Sequence, residues 1–176
     1  MGPVCGILLN RKIDFEEIHK VDELLKSIVN GEIETTKSMR DFWVDSKKLP
    51  KMNSQGSDCQ FSLRFDNELH FMDKDEILEI DMALNFKVKS QISISAGCNQ
   101  KGDHNVLGEL TLKIAEMLSG LIDFGGDLNI YHQGIKEELN GQVYSIEYNN
   151  KMAEYQIADS VFLTNWIKHK KFRMIK

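Results

Sequence analysis

The stretch QISISAGCNQKGDHNVLGELTLKIAEMLSGL, residues 91–121, decides the fold. Its first seven residues alternate apolar and polar side chains, which predicts a strand with one buried face. Further on, apolar residues recur at three- and four-residue spacing, which predicts an amphipathic helix. This stripe consists of Val106, Leu107, Leu110, Ile114, Met117, Leu118 and Leu121. A strand that leads into a long helix indicates a protein in which helices pack on a sheet.

The first half of the chain follows the order strand, helix, strand, strand, helix, strand, which is that of a ferredoxin-like unit. The first helix starts at the N-cap Asp14 and stops at Gly31, and the second covers residues 73–86. Strands are predicted over PVCGILL (3–9), residues 32–45, CQFSLRF (59–65) and ELHFM (68–72), the last two as a hairpin.

The second half adds short strands and a capped terminal helix. The predicted strands are DLNIY (127–131), QVYSIEY (142–148) and AEYQIA (153–158), with a hairpin turn at Asn149-Asn150, and the helix is DSVFLTNWIKHKKF (159–172). SKKLPKMNSQGS (46–57) has the composition of an exposed loop. We therefore predict one α+β domain over residues 1–176, with a largely antiparallel sheet and helices packed mainly on one face.

Composition indicates a globular protein of the cytoplasm. With 176 residues, 41% of them hydrophobic, the chain can bury one sizeable core. No apolar run approaches the roughly 18 residues that cross a bilayer, and the N-terminus lacks the basic segment of a signal peptide. Cys5, Cys59 and Cys98 are odd in number and far apart, without a CxxC pair. This argues against a disulfide framework and a zinc cage, and for a reducing compartment.

The net charge of −5 is unevenly distributed. The last twelve residues contain five cations and no acid, so the rest of the chain is more acidic than the total indicates. An acidic body does not suit a nucleic-acid binder, whereas it suits a basic protein partner through electrostatic steering. Solubility explains the acidity equally well. Within the basic tail, Phe172, Met174 and Ile175 predict that it folds back onto the body.

The glycines of GLIDFGG (120–126) raise the question of a phosphate-binding loop. Such loops place glycines just before a helix, at the positive end of its dipole. Here the glycines follow the strongest predicted helix, and no G-x-G-x-x-G or G-K-[ST] motif is present. Gly125 and Gly126 are therefore predicted to form a turn into DLNIY or a close backbone approach, and Gly120 a C-cap or a packing contact.

The start of the long helix, CNQKGDHNVLGE (98–109), is a second candidate site. A thiol near a helix N-terminus can be activated, so one interpretation is a Cys98–His104 nucleophile pair or a metal site. The other is that Asp103 or Asn105 caps the helix and that Cys98 ends a buried strand. Capping is favoured, because it accounts for these residues and their spacing matches no metal motif. We expect no catalytic residue, no cofactor and no metal.

The densest acidic cluster lies in the second predicted helix. Its spacing turns Ile77, Ile80 and Leu84 inward and leaves most of the acids in water, either as a solvated face or as a patch for a cationic partner. The candidate partner-binding residues are Asp73, Asp75, Glu76, Glu79 and Asp81, with Phe42 and Trp43 as aromatic anchors. An internal strand would explain the two aromatic residues equally well.

Two stretches of the second half combine several short motifs. They are Cys98-Asn99, Asp103-His104, Leu107-Gly108-Glu109-Leu110 and Ile122-Asp123-Phe124-Gly125-Gly126, followed by Phe162-Leu163, Trp166, His169 and Phe172-Arg173-Met174. This combination resembles an uncharacterised family of small cytosolic bacterial proteins, a domain of unknown function. The resemblance implies no activity. Small, cofactor-free bacterial α+β proteins of this type are often similar to immunity proteins, which neutralise a toxin delivered between competing cells.

The function expected from the sequence is therefore that of a cytoplasmic immunity protein. It would bind a cognate toxin, a basic protein such as a nuclease, and occlude its active site without chemistry of its own. Neither nucleic acid nor membrane is an expected partner. The alternatives are a small hydrolase that uses Cys98 and His104, and a non-catalytic structural or regulatory binding protein.

Overall fold

The computed structural model describes residues 2–29, 31–44, 59–130, 133–148 and 153–175. The strands of this part of the chain are β1 Val4–Leu9, β2 Glu34–Thr35, β3 Met39–Trp43, β4 Gln60–Asp66, β5 Ser90–Ala96, β6 Leu121–Asp123, β7 Val143–Tyr148 and β8 Ala153–Ala158. The helices are α1 Phe15–Ile28, α2 Lys74–Leu84, α3 Lys101–Leu118, the short α4 Ile135–Glu138 and α5 Ser160–Lys168. The predicted loop 46–57 and the turn at Asn149-Asn150 lie outside the described residues.

The eight strands form one sheet in the order β2-β3-β4-β5-β1-β6-β8-β7. Every pair is antiparallel, which confirms the predicted α+β class and sheet type. Because β5 and β6 both pair antiparallel with β1, they run parallel to each other and enclose it. Together with α3, which connects them, they form a split β-α-β unit.

The element order predicted for the first half is present as β1-α1-β3-β4-α2-β5. The two-residue strand β2 is an addition between α1 and β3. In the sheet, however, these strands lie as an antiparallel set in the order β3-β4-β5-β1. The first half therefore has the chain order of a ferredoxin-like unit without its strand arrangement, and the split unit comes later in the chain.

Helices cover the two faces of the sheet unequally. α1, α3 and α5 pack on the first face, in a large core that includes Ile7 of β1 and Leu63 of β4. α2 packs on the second face, where Ile80 joins a smaller core with Leu8 of β1. Since β1 is covered on both sides, its side chains are apolar at successive positions instead of alternating. The predicted one-sided packing holds for α1, α3 and α5, and α2 is the exception.

Some local predictions are wrong because turn geometry overrides the pattern. ELHFM is not a strand: Leu69 has a left-handed backbone with φ of 56°, and β4 pairs with β3 and β5 instead. In DLNIY, residues 128–130 form a single 3-10 turn. Leu121 begins β6 instead of continuing the helix, because α3 ends at Leu118 and Ser119 turns the chain with φ of 53°.

The stretch GLIDFGG contains strand β6 and the turn that follows it. Gly125 has φ of 67°, a left-handed conformation that favours glycine and that fits the predicted turn. Of the two roles predicted for Gly120, a C-cap or a packing contact, the structure shows the packing contact. A Cβ at this position would lie 2.5 Å from Cγ2 of Ile7. The C-cap of α3 is Ser119.

Candidate functional site

The predicted acidic helix exposes an apolar stripe beside a row of two acids. Asp75, Leu78, Glu79 and Met82 follow the i, i+3, i+4, i+7 spacing, which places four side chains along one face of α2. All four are exposed, Leu78 by 57% and Met82 by 71%. The opposite side, with Ile77, Ile80 and Leu84, packs on the sheet as the spacing predicts. We call the four exposed residues the α2 surface.

The other three predicted acids occupy different positions on α2. Asp73 is the N-cap residue, and its backbone amide donates to Glu76 Oε2 at 3.3 Å, as in a capping box. Glu76 and Asp81 are half-buried, at the borders between the helix and the sheet. The five acids therefore do not form a single patch. Two of them lie along one side of the exposed stripe, and three lie at the start and along the edges of the helix.

Phe42 and Trp43 point to opposite faces of β3. Phe42 is fully buried, and its ring stacks on that of Phe61 with 6.2 Å between the centroids. It is a core residue, out of reach of a partner. Trp43 is exposed, but β3 lies near one edge of the sheet while α2 packs against β7 at the other edge. The structure therefore does not bring Trp43 into the α2 surface.

The two motif stretches of the second half meet at His104, which is almost fully buried. Its Nδ1 accepts a hydrogen bond from the Met174 amide at 3.1 Å, and its Nε2 lies 2.9 Å from Asn99 Oδ1 and 3.2 Å from Arg173 Nε. Arg173 Nε donates towards Nε2, and Arg173 Nη2 donates to Asn99 Oδ1 at 3.4 Å, so the three side chains form one cluster. Residues other than Cys98 thus engage both nitrogens, an arrangement that does not suit a Cys-His nucleophile pair.

The start of α3 is capped by residues other than those predicted. The helix begins at Lys101 with Gln100 as its N-cap, and the Gln100 amide donates to Asp103 Oδ2 at 2.6 Å. Asp103 is therefore the third helical residue, which reaches back to the cap, and Asn105 lies inside the helix. The prediction that Asp103 or Asn105 is the N-cap is wrong. Asp103 nevertheless stabilises the start of the helix, because it accepts a hydrogen bond from the N-cap residue.

Cys98 is exposed instead of ending a buried strand, and it lies beside Cys59. The Cys98 amide donates to Cys59 Sγ at 2.8 Å. Burial raises the pKa of the Cys59 thiol to about 11, and a hydrogen bond with the Cys98 side chain adds to the increase. The two Sγ atoms and a carboxylate oxygen of Asp103 all lie within 4.8 Å of one another. Cys59 and Cys98 are 39 residues apart in the chain, so sequence spacing alone does not indicate that they lie together.

Asp123 of GLIDFGG is a buried carboxylate. It pairs with Gly6 in the β1–β6 ladder, and its Oδ1 accepts from the Gly125 amide at 2.8 Å. Burial raises the pKa of Asp123 to about 6; the hydrogen bond from Gly125 opposes the increase, and the carboxylate of Glu76 on α2 adds to it. A Cβ at Gly6 would lie only 2.8 Å from Gln91 Nε2 and 3.3 Å from Asp123 Oδ2, so this glycine leaves room for both side chains. The stretch supplies a buried acid near α2, which the sequence analysis did not foresee.

A cleft of about 800 Å³ lies beyond the end of β4. At its wall, His70 Nδ1 is 3.0 Å from Oδ1 of the buried Asp66, so a carboxylate orients an exposed imidazole. Such a pair is a common arrangement for proton transfer. The pattern of residues 68–72 predicts a strand and does not indicate this pair, because it is the turn at Leu69 that brings the two side chains together.

Comparison with known proteins places the chain in a family. Over residues 1–176 it matches the family described as "Family of unknown function (DUF6368)". The chain belongs to this family. The match extends over the first half of the chain as well, beyond the motifs of the second half. No curated protein and no solved structure matches the chain significantly. Within its described part, the DUF6368 chain has no helix both long and apolar enough to span a membrane.

Proposed function

We propose that this DUF6368 protein works by binding, and that it docks a basic protein partner through the α2 surface. The observation that carries the proposal is the exposure of Leu78 and Met82 alongside Asp75 and Glu79. Large apolar side chains that line up on one exposed helix face are typical of interaction surfaces. A polar or charged border around an apolar centre is the usual anatomy of a protein interface.

The shape and charge of this surface favour one class of partner. A helix face is convex, whereas small ligands bind in concave pockets, so the complementary object is a groove on another macromolecule. Residues 73–84 carry five carboxylates against the single cation Lys74. Nucleic acid would be repelled by this charge, while a basic protein would be steered towards it. We expect Leu78 and Met82 to supply affinity, and Asp75 and Glu79 to increase the association rate.

The specific role that we propose is neutralisation of a toxin. A toxin that cleaves nucleic acid needs a cationic substrate cleft, and an acidic helix with an apolar stripe is complementary to such a cleft. Occupation of the cleft would block the substrate without chemistry by the inhibitor. This immunity role is supported by the chemistry of the α2 surface and by the resemblance to small bacterial α+β proteins. It is a more specific claim than the binding function.

Capture experiments with matched variants test both levels of the proposal. The tagged full chain is used to capture partners from its native host at low and moderate salt, and captured proteins are identified by mass spectrometry. Leu78→Ser/Met82→Ser removes the stripe, and Asp75→Lys/Glu79→Lys reverses its border. The controls are Val161→Ser, an exposed apolar residue on α5, and Glu116→Lys, an exposed acid on α3.

The binding function predicts one basic partner that the two controls retain. Leu78→Ser/Met82→Ser should weaken its affinity at least about tenfold, and Asp75→Lys/Glu79→Lys should slow association and reduce its salt dependence. A partner that binds all variants equally would contradict the α2 surface. For the immunity role, the partner should be lethal when expressed alone and harmless when co-expressed with the wild-type chain. A harmless partner would contradict this role and leave the binding function standing.

A further inference from the structure

The geometry points to a binding site for a zinc-like divalent metal, formed by Cys59, Cys98 and Asp103. It lies at the end of the sheet where α3 begins and does not depend on the α2 surface. The sequence spacing argued against such a site, because the three residues belong to no recognised metal motif. Three-dimensional proximity overrides that argument, since their ligand atoms all lie within 4.8 Å of one another.

Strand pairing brings the two cysteines together. In the antiparallel ladder of β4 and β5, Phe61 is paired with Ala96. Two residues further out on each strand are Cys59 and Cys98, and the Gly97 amide still donates to Gln60 O at 2.8 Å. Directly opposed residues of an antiparallel pair have Cβ atoms about 4.5–5.5 Å apart. The two thiols therefore reach one common point, although they are distant in the chain.

Asp103 completes the set from the first turn of α3. Its side chain is almost fully buried, and its Oδ2 is fixed by the hydrogen bond from the Gln100 amide. Metal–sulfur bonds of about 2.3 Å and metal–oxygen bonds of about 2.0–2.2 Å separate tetrahedral ligand atoms by roughly 3.5–3.8 Å. From separations below 4.8 Å, small side-chain rotations are sufficient to reach this geometry.

The ligand types select the class of metal. Calcium and magnesium take oxygen ligands, whereas two thiolates and one carboxylate suit zinc and similar borderline-soft ions. On binding, each thiol loses one proton to solvent as its metal–sulfur bond forms. Three protein ligands leave a fourth position for water, and the exposure of Cys98 provides a path of entry.

Cobalt(II) is the probe for this site, because thiolate–cobalt charge transfer and tetrahedral d–d bands are visible in absorption spectra. The purified full chain is reduced, stripped with a chelator and titrated with Co²⁺. We expect one equivalent to bind per chain, with both types of band, and Zn²⁺ to displace it. Cys59→Ser and Cys98→Ser should abolish the charge-transfer band. Asp103→Asn should keep the band and weaken binding at least about tenfold.

Cys5→Ser is the matched control, because Cys5 is a buried cysteine whose thiol donates to Asp123 O at 3.1 Å, outside the cluster. It should bind Co²⁺ like the wild type. A second readout uses wild-type protein alone: Zn²⁺ should protect Cys98 from a thiol-alkylating reagent in the presence of a non-thiol reductant. Absence of cobalt bands together with unchanged alkylation would overturn the proposal. Alkylation that is blocked only without reductant would show a Cys59–Cys98 disulfide in place of a metal site.

Discussion

Nδ1 of His104 accepts a hydrogen bond from the backbone amide of Met174, 3.1 Å away and 70 residues later in the chain. The indole of Trp166 holds the same segment, since its Nε1 donates to Arg173 O at 3.3 Å. The Phe172 ring packs edge-on against this indole, with 5.6 Å between the centroids. Phe172, Met174 and Ile175 therefore belong to the core that contains α3 and α5, which confirms that the basic tail folds back onto the body.

Replacement of His104 by alanine should loosen this C-terminal segment. The variant leaves the buried Met174 amide without its acceptor and removes a packed ring, so the free energy of unfolding should fall by about 2–3 kcal/mol. Denaturant unfolding measures the loss, and limited proteolysis should cut the C-terminal segment earlier. His19→Ala, at an exposed position on α1, is the control and should alter neither result. An unchanged unfolding midpoint for His104→Ala would contradict the structural role of the ring.

Gly108 on α3 lies directly against Phe172, and a Cβ at position 108 would be 2.6 Å from Cζ of the ring. Gly108→Ala therefore combines two opposed effects. Helix propensity favours alanine by about 1 kcal/mol, and overpacking costs about 1–3 kcal/mol. We expect a net loss of stability in the wild-type background and a gain in a Phe172→Leu background, where the obstruction is smaller. Denaturant unfolding of the four chains measures the coupling, and equal effects in both backgrounds would show that the contact is absent.

Apolar periodicity is sufficient to find α1, α2, α3 and α5, because each of these helices buries apolar side chains at helical spacing, and α5 does so largely against α3. It also finds β4 and β5, whose alternate residues face the core. The order of the strands cannot be obtained in this way. It depends on pairings such as Val4 with Ser95, which no local pattern encodes. Local patterns also fail at Leu69 and Ser119, where a left-handed residue ends an element early.

The candidate sites also differ in whether a local sequence pattern can locate them. Composition locates the acids of α2, and spacing gives the buried side of the helix, so the outward direction of Leu78 and Met82 follows once its inner face is known. The proximity of Cys59 to Cys98 instead requires the register of β4 and β5. A search for metal motifs by spacing cannot find such a pair, because strand pairing sets the distance between the thiols and the number of intervening residues does not.

An ion pair between a buried arginine and a half-buried aspartate holds α1 to the sheet near its edge. Arg40 donates to both carboxylate oxygens of Asp22, from Nε at 2.7 Å and from Nη2 at 3.0 Å, and only 6% of its side chain is exposed. Asp22→Ala leaves the guanidinium buried without its counter-charge. The remaining hydrogen bonds of Arg40 to Thr36 O and Met39 O limit the damage, so we expect a loss of about 2–3 kcal/mol in the free energy of unfolding.

Glu23 on the same helix provides the matched comparison for Asp22. It pairs with Lys26 in an exposed i, i+3 ion pair, so Glu23→Ala should leave the unfolding midpoint essentially unchanged. Arg40→Met/Asp22→Ala removes both charges, and it should be more stable than Asp22→Ala alone because no buried charge is left unpaired. Equal losses for Asp22→Ala and Glu23→Ala would contradict the stabilising role of the Arg40 pair.

Asp123 should make stability depend on pH in a direction opposite to that of an ordinary salt-bridged acid. Burial, with a smaller contribution from Glu76, raises the pKa of Asp123 from 3.8 to about 6 in the folded chain. Between these values the folded state binds more protons than the unfolded state, so the free energy of unfolding falls as pH rises. The difference corresponds to about 3 kcal/mol, lost between about pH 4 and pH 7.

Asp123→Asn keeps an acceptor for the Gly125 amide and removes the titration, so its stability relative to wild type should rise by that amount over the same interval. Urea unfolding of both chains at several pH values measures this difference, and the exposed Asp75→Asn variant controls for the loss of a carboxylate. A stability difference between Asp123→Asn and wild type that stays constant from pH 4 to pH 7 would show that Asp123 remains ionised in the folded protein.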